Sequence, residues 1–113
     1  MTTHVLIVED DPLIAMDLEA IAEEEGHSTT WCTTVREALG EVDRRDYALA
    51  LLDVDVPDGK TFAVARRLMD RAVPFTFVSA IRRVDIPLEF AGAPIVGKPY
   101  RPNEVRSALR TAS

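Results

Sequence analysis

The sequence predicts an α/β fold, a parallel sheet buried between helices on both of its faces. Three observations predict it. Short apolar runs such as Val5-Leu6-Ile7-Val8 and Ala48-Leu49-Ala50-Leu51-Leu52 are continuous, as in strands covered on both faces, rather than alternating. Longer amphipathic segments separate these runs. Several runs stop abruptly at a polar residue, Glu9, Asp53 and Ser79 among them. A chain of 113 residues, 47% hydrophobic and 28% charged, has room for one such unit, with a single core. No repeat, low-complexity tract or linker divides it, so residues 1–113 are expected to form one (βα)5 domain.

The first strand is Val5–Val8. Asp11 then caps a helix whose first position suits Pro12, which has no N–H to leave unpaired. Leu13, Met16 and Ala20, with Ile14, Leu18 and Ile21, give this helix a broad apolar face, and Gly26 ends it. A second strand is expected at Thr29–Cys32. Thr34 and Glu37 form a capping box for a helix that turns Val35, Ala38, Leu39 and Val42 inward. The third strand, Tyr47–Leu52, halts at Asp53. Pro57 and Asp58-Gly59 supply turn chemistry, after which a helix from Thr61 to Arg71 places Phe62, Ala65, Leu68 and Met69 inward. Phe75–Val78 is a fourth strand ending at Ser79. Between Arg82 and Gly92 the pattern supports only a short helix or an irregular segment. Ile95-Val96 is a short fifth strand leading to Lys98-Pro99, and a last helix begins near Pro102 with Val105, Ala108 and Leu109 inward.

Composition excludes several functions. A net charge of -6 argues against non-specific binding to DNA or to anionic lipid. One cysteine, Cys32, permits neither an internal disulfide nor a cysteine-based zinc site. No segment approaches the roughly 20 apolar residues of a membrane helix, and the N-terminus does not read as a signal peptide. A cytoplasmic location is the expectation. The last residues, Arg110 to Ser113, read equally as an end or as the start of a linker.

In an open parallel sheet, ligands bind beyond the carboxyl ends of the strands. There the sequence delivers Glu9 and Asp10 after the first strand, Asp53 after the third, Ser79 after the fourth and Lys98 after the fifth. Polar residues are common where strands meet solvent, so each alone is unremarkable. Together they are three acids, a hydroxyl and a lysine on one edge. Three gathered carboxylates repel one another and call for a cation, and their hard oxygen ligands favour Mg2+. A carboxylate beside that ion can attack a phosphoryl group, with the metal, the ammonium and the hydroxyl neutralising the transferring oxygens.

With these motifs in place, the sequence resembles the receiver domain of bacterial two-component response regulators over essentially its whole length. The resemblance is carried by the "VLIVEDD" opening, "LLDVDVPDG" around Asp53, "FVSA" containing Ser79, and "GKPY" containing Lys98. It implies a flavodoxin-like doubly wound sheet of strand order 2-1-3-4-5. It implies Asp53 as phosphoacceptor, Glu9, Asp10, Asp53 and the backbone carbonyl of Asp55 as Mg2+ ligands, Ser79 and Lys98 as phosphoryl contacts, and a cis Lys98-Pro99 bond. The implied partners are a sensor histidine kinase or phosphotransfer protein as donor and a downstream protein. The domain would be no enzyme beyond removing its own phosphoryl group. Its readout would be a switch in protein–protein interactions, with a phosphorylation-dependent dimer allowed. Pro74-Phe75-Thr76-Phe77 is also similar to an alphaproteobacterial, often single-domain subgroup, from whose next motif Ser79-Ala80-Ile81 departs.

Two departures bear on the switch. The aromatic residue that often pairs with Ser79 in such receivers is here Ile95, and position 55, commonly neutral, is an aspartate. These keep open a non-phosphorylated pseudo-receiver acting as a binding module. Asp53-Val54-Asp55 also fits an Asp-nucleophile phosphatase, but such enzymes carry that motif on their first strand. His4 and His27 read as surface or strand-end residues, Trp31 and Cys32 as strand packing, Glu23 to Glu25 as a solvated helix face, and Arg82-Arg83 as loop arginines. Arg101, Arg106 and Arg110 are expected to make the last helix basic, and the responsive surface is expected around the loop after the fourth strand, Ile95 and that helix.

Overall fold

A computed structural model describes residues 3–110. Met1, Thr2 and the tail at 111–113, where the sequence leaves a linker open, lie outside the described residues. The elements run β1 (Thr3–Val8), α1 (Pro12–Glu24), β2 (His27–Cys32), α2 (Val35–Arg44), β3 (Leu49–Leu52), β4 (Asp55–Val56), β5 (Gly59–Lys60), α3 (Phe62–Asp70), β6 (Phe75–Ser79), β7 (Ile95–Gly97) and α4 (Pro102–Arg110). Five of the strands form one sheet of order β2-β1-β3-β6-β7, every pairing parallel. With the small β4–β5 hairpin set aside, this is the expected order 2-1-3-4-5 of a flavodoxin-like fold.

Period-two alternation along each strand sorts the core into two layers. Val5, Ile7, Leu49, Leu51, Val78 and Val96 face α1 and α4, where Leu18, Ile21, Val105 and Leu109 meet them. Leu6, Val8, Ala50, Leu52 and Phe77 face α2 and α3, with Ala38, Val42, Val64 and Leu68. Strand segments buried on both faces are apolar at successive positions, which is why Val5–Val8 of β1 and Leu49–Leu52 of β3 are unbroken hydrophobic runs.

Helix starts follow local chemistry. The Asp11 carboxylate accepts from Leu13 N at 2.9 Å with Pro12 at the first position. Thr34 Oγ1 accepts from Glu37 N at 3.1 Å, while Glu37 reaches back to the N–H of Thr33 rather than of Thr34. Gly26 follows α1 with φ +88°, a conformation costly for residues with a Cβ.

The structure corrects several expectations. In α1 the inward stripe is Ala15, Leu18, Ile21 and Ala22, whereas Leu13, Met16 and Ala20 face solvent. This helix is apolar around most of its girth, so periodicity alone does not choose the stripe. The small Ala15 and Ala22 occupy the buried positions. In α3, Val64 is buried and Met69 is exposed, since Met69 projects about 100° around the helix from Leu68. Tyr47 precedes β3 rather than opening it; its hydroxyl donates to the buried Glu41 carboxylate at 2.7 Å. The loop after Asp53 folds into the β4–β5 hairpin, with Gly59 at φ +135°.

Between β6 and β7 there is no fourth α-helix, only two 3-10 turns at Arg83–Asp85 and Leu88–Phe90. Ile86 and Phe90 anchor this segment, and Phe90 packs among Phe62, Phe75 and Phe77 with ring centroids 5.7–6.0 Å away. The expected basic face of α4 is largely offset: Arg106 pairs with Glu24 at 3.3 Å and Arg110 with Glu25 at 2.7 Å. Those acids are thus partly engaged by α4 instead of being a purely solvated face. Among the described residues, no helix is long and apolar enough to cross a membrane.

Candidate functional site

Strand order reverses between β1 and β3, because the chain leaves β1 for β2 on one side and then crosses to β3 on the other. Such a switch point opens a crevice at the carboxyl ends of the strands. Glu9 and Asp10 leave β1 there, and Asp53 leaves β3 beside them. The backbone fixes both departures: Asp53 N donates to Val8 O at 2.8 Å and Glu9 N to Cys32 O at 3.0 Å. One carboxylate oxygen from each of Glu9, Asp10 and Asp53 lies within 4.8 Å of the others.

Lys98 enters from the far side. Its Nζ donates to Glu9 Oε1 at 2.5 Å and to Asp53 Oδ2 at 3.2 Å. The loop that carries it is held by Lys98 N donating to Ser79 O at 3.2 Å, and the Lys98-Pro99 peptide is cis, as expected. Tyr100, two residues on, donates to Asp17 of α1 at 2.5 Å. Burial, and then that bond, push the Tyr100 phenol above its ordinary range.

Electrostatics follow from burial. Glu9 is 1% exposed, and its carboxyl is pushed up to about 7, chiefly by burial and then by the adjacent Asp53, with Lys98 pulling the other way. Burial lowers the Lys98 ammonium, but its bond to Glu9 and the charge of Asp53 outweigh that, leaving it above its usual value. One ammonium therefore stands against three carboxylates. The surplus of hard oxygen donors fits a divalent cation such as Mg2+, which is satisfied by one or two carboxylates and retained waters.

The remaining expected residues sit around this centre. A cavity over Asp53 is lined by Asp55, Lys60, Ser79, Ala80, Ile81, Asp85 and Lys98. Ser79 is buried at the end of β6, its Oγ accepting from Ile81 N at 3.3 Å. The Asp55 side chain pairs with Lys60 across the hairpin, so its charge is locally offset. Ile95 lies opposite Phe77 in the ladder and packs, partly buried, on the core layer that holds Phe90. Arg82 pairs with Asp85 at 3.1 Å and Arg83 donates to Ala91 O at 3.2 Å, as loop arginines. His4 and His27 lie at the opposite end of the sheet, bonded to Ser28 and Thr3.

Three supporting residues escaped the sequence reading. The Trp31 indole N–H donates to Glu9 O at 2.6 Å, and the Thr61 hydroxyl donates to Asp53 O at 2.5 Å. The Asp58 carboxylate accepts from Val35 N at 2.7 Å and Arg36 N at 3.1 Å, capping α2 from the loop beyond Asp53. No local motif marks the first two. For Asp58, the Asp-Gly turn was visible but its distant helix was not.

Comparison with known proteins agrees with this geometry. The family model for the response regulator receiver domain matches residues 5–110. The phyllosphere-induced regulator PhyR of Methylorubrum extorquens is 32% identical over 99% of this chain and 44% of its own length. The chain spans about half the length of the curated relatives it matches. Among solved structures, SdrG from Sphingomonas melonis Fr1 superposes with a TM-score of 0.84 at 34% identity, over 98% of this chain and 96% of that one. The receiver domain of Erythrobacter litoralis PhyR gives 0.87 at 26% identity, covering 98% and 89%. Membership sets the phosphatase alternative aside: the chain belongs to the response regulator receiver domain family of two-component systems.

Proposed function

We propose that this domain accepts a phosphoryl group on Asp53 and thereby switches its contacts with another protein. The observation that carries the reading is the Lys98 ammonium bridging Glu9 and Asp53, with Asp10 completing a carboxylate trio. Glu9, Asp10, Asp53 and the Asp55 carbonyl would hold Mg2+, which when bound neutralises charge on the phosphoryl oxygens. The donor is a phosphohistidine on a sensor kinase or phosphotransfer protein. An Asp53 carboxylate oxygen attacks phosphorus, the P–N bond breaks, and its electron pair stays on the imidazole nitrogen. Lys98 already touches the nucleophile, so its charge is in place as negative charge gathers on the transferring oxygens. Ser79 donates its hydroxyl to the arriving group, giving up the contact with Ile81 N.

Loss of the group is the domain's own slow reaction with water, which attacks phosphorus and returns the Asp53 carboxylate and inorganic phosphate. Readout passes through Ser79, Ile95 and the 3-10 segment packed on Phe77. An aliphatic Ile95 transmits by repacking on Phe90 rather than by rotation of a ring. The experiment is incubation with acetyl phosphate and Mg2+ followed by intact mass. Wild type should gain one phosphoryl group and Asp53→Asn none; an equal gain in both would remove Asp53 from the role.

A further inference from the structure

The cavity over Asp53 has a second ammonium in its wall. Besides Lys98, Lys60 lines it, facing Asp55 across the β4–β5 hairpin. The hairpin begins two residues beyond Asp53 and is docked at both ends. Asp58 holds it to the start of α2, and Thr61 ties it to the Asp53 and Val54 carbonyls. The backbone carrying Lys60 is therefore set relative to Asp53, while its side chain remains more than half exposed at 56%.

The two lysines differ in what already holds them. Lys98 is largely buried and bonded to two carboxylates of the acidic centre. Lys60 holds only Asp55 among the ion pairs formed by the described residues, and that carboxylate is 67% exposed. An exposed pair of this kind is weak and readily exchanged, and water can take over Asp55 when it is released. A phosphoryl group carrying a charge of about −1.5 to −2 attracts an ammonium more strongly than one carboxylate does. Asp85, the other acid in the wall, already has Arg82.

We propose that Lys60 is a second ammonium for the phosphoryl group, exchanging Asp55 for the phosphoryl oxygens as the group arrives on Asp53. The proposal rests on Asp53 being the acceptor. Lys60 would then assist capture, in which an Asp53 oxygen bonds phosphorus, the bond from phosphorus to the donor oxygen breaks, and acetate leaves acetyl phosphate with the electron pair.

The test measures the rate of acetyl-phosphate labelling, with Mg2+, by intact mass in a double-mutant cycle of Lys60→Ala and Asp55→Asn. Lys60→Ala should slow labelling about 5- to 10-fold, Lys60→Arg should recover most of the loss, and the loss should persist in the Asp55→Asn background. Thermal melts should match wild type, because both side chains are exposed. Labelling of Lys60→Ala within about twofold of wild type would overturn the proposal. So would a loss that disappears with Asp55→Asn, since Lys60 would then serve only to offset Asp55. Absence of labelling in wild type is a distinct result, which removes the Asp53 reading and this proposal with it.

Discussion

At the scale of single residues, the site is a charge imbalance held in a fixed geometry. Lys98 balances part of the charge of Glu9, Asp10 and Asp53, and the rest is what a divalent cation would meet. Trp31, the chain's one tryptophan, donates to the Glu9 carbonyl and so stands beside the proposed ligands. Addition of Mg2+ should therefore change its fluorescence. Asp10→Asn should weaken the apparent affinity in that titration by about tenfold or more, and an unchanged midpoint would remove Asp10 from the ligand set. Glu9, Asp10, Asp53, Ser79 and Lys98 were legible in the sequence because each directly ends a strand or lies within two residues of one. Thr61 and Trp31 were not, because they act by touching a backbone carbonyl that only the fold brings near.

Among the elements, α2 and the β4–β5 hairpin depend on each other through Asp58. Hydrogen bonds from Val35 N and Arg36 N hold the Asp58 carboxyl below its ordinary range, and the Thr33 contacts do the same for Glu37. A depressed carboxyl gives stability that is complete above its unfolded-state value and is lost as pH falls through the folded one. Unfolding scans should thus show acid destabilisation below about pH 4. Asp58→Asn should lower the melting temperature at neutral pH and flatten that acid limb. A melting curve and acid limb identical to wild type would show that the cap contributes nothing. Helix starts were readable from Asp11, Pro12 and the Thr34–Glu37 pair, where the interacting atoms are close in sequence. The inward face of α1 was not: Leu13 and Met16 are as hydrophobic as Leu18 and Ile21, and only packing against the sheet decides between them. The irregular run from Arg82 to Gly92 was legible as a weak pattern, and Ile86 and Phe90 explain how so little helix still covers the core.

For the molecule as a whole, the order β2-β1-β3-β6-β7 places β1 and β3 side by side at the reversal point, which is what brings Glu9 and Asp10 to Asp53. Those residues are more than forty positions apart, so this juxtaposition is a property of topology rather than of any motif. The fold class was readable because doubly buried strands leave an unmistakable apolar signature. The offset charge of α4 was not, since Glu24 and Glu25 meet Arg106 and Arg110 only once the helices pack.

The measurement that bears most directly on the site is chemical location of the phosphoryl group. Borohydride reduces an acyl phosphate to an alcohol, converting the modified aspartate to homoserine. After labelling with acetyl phosphate and Mg2+, reduction and peptide sequencing by mass spectrometry should find homoserine at position 53 and nowhere else. Homoserine at Asp10 or Asp55, or an intact Asp53 in protein that has gained a phosphoryl group, would contradict the assignment.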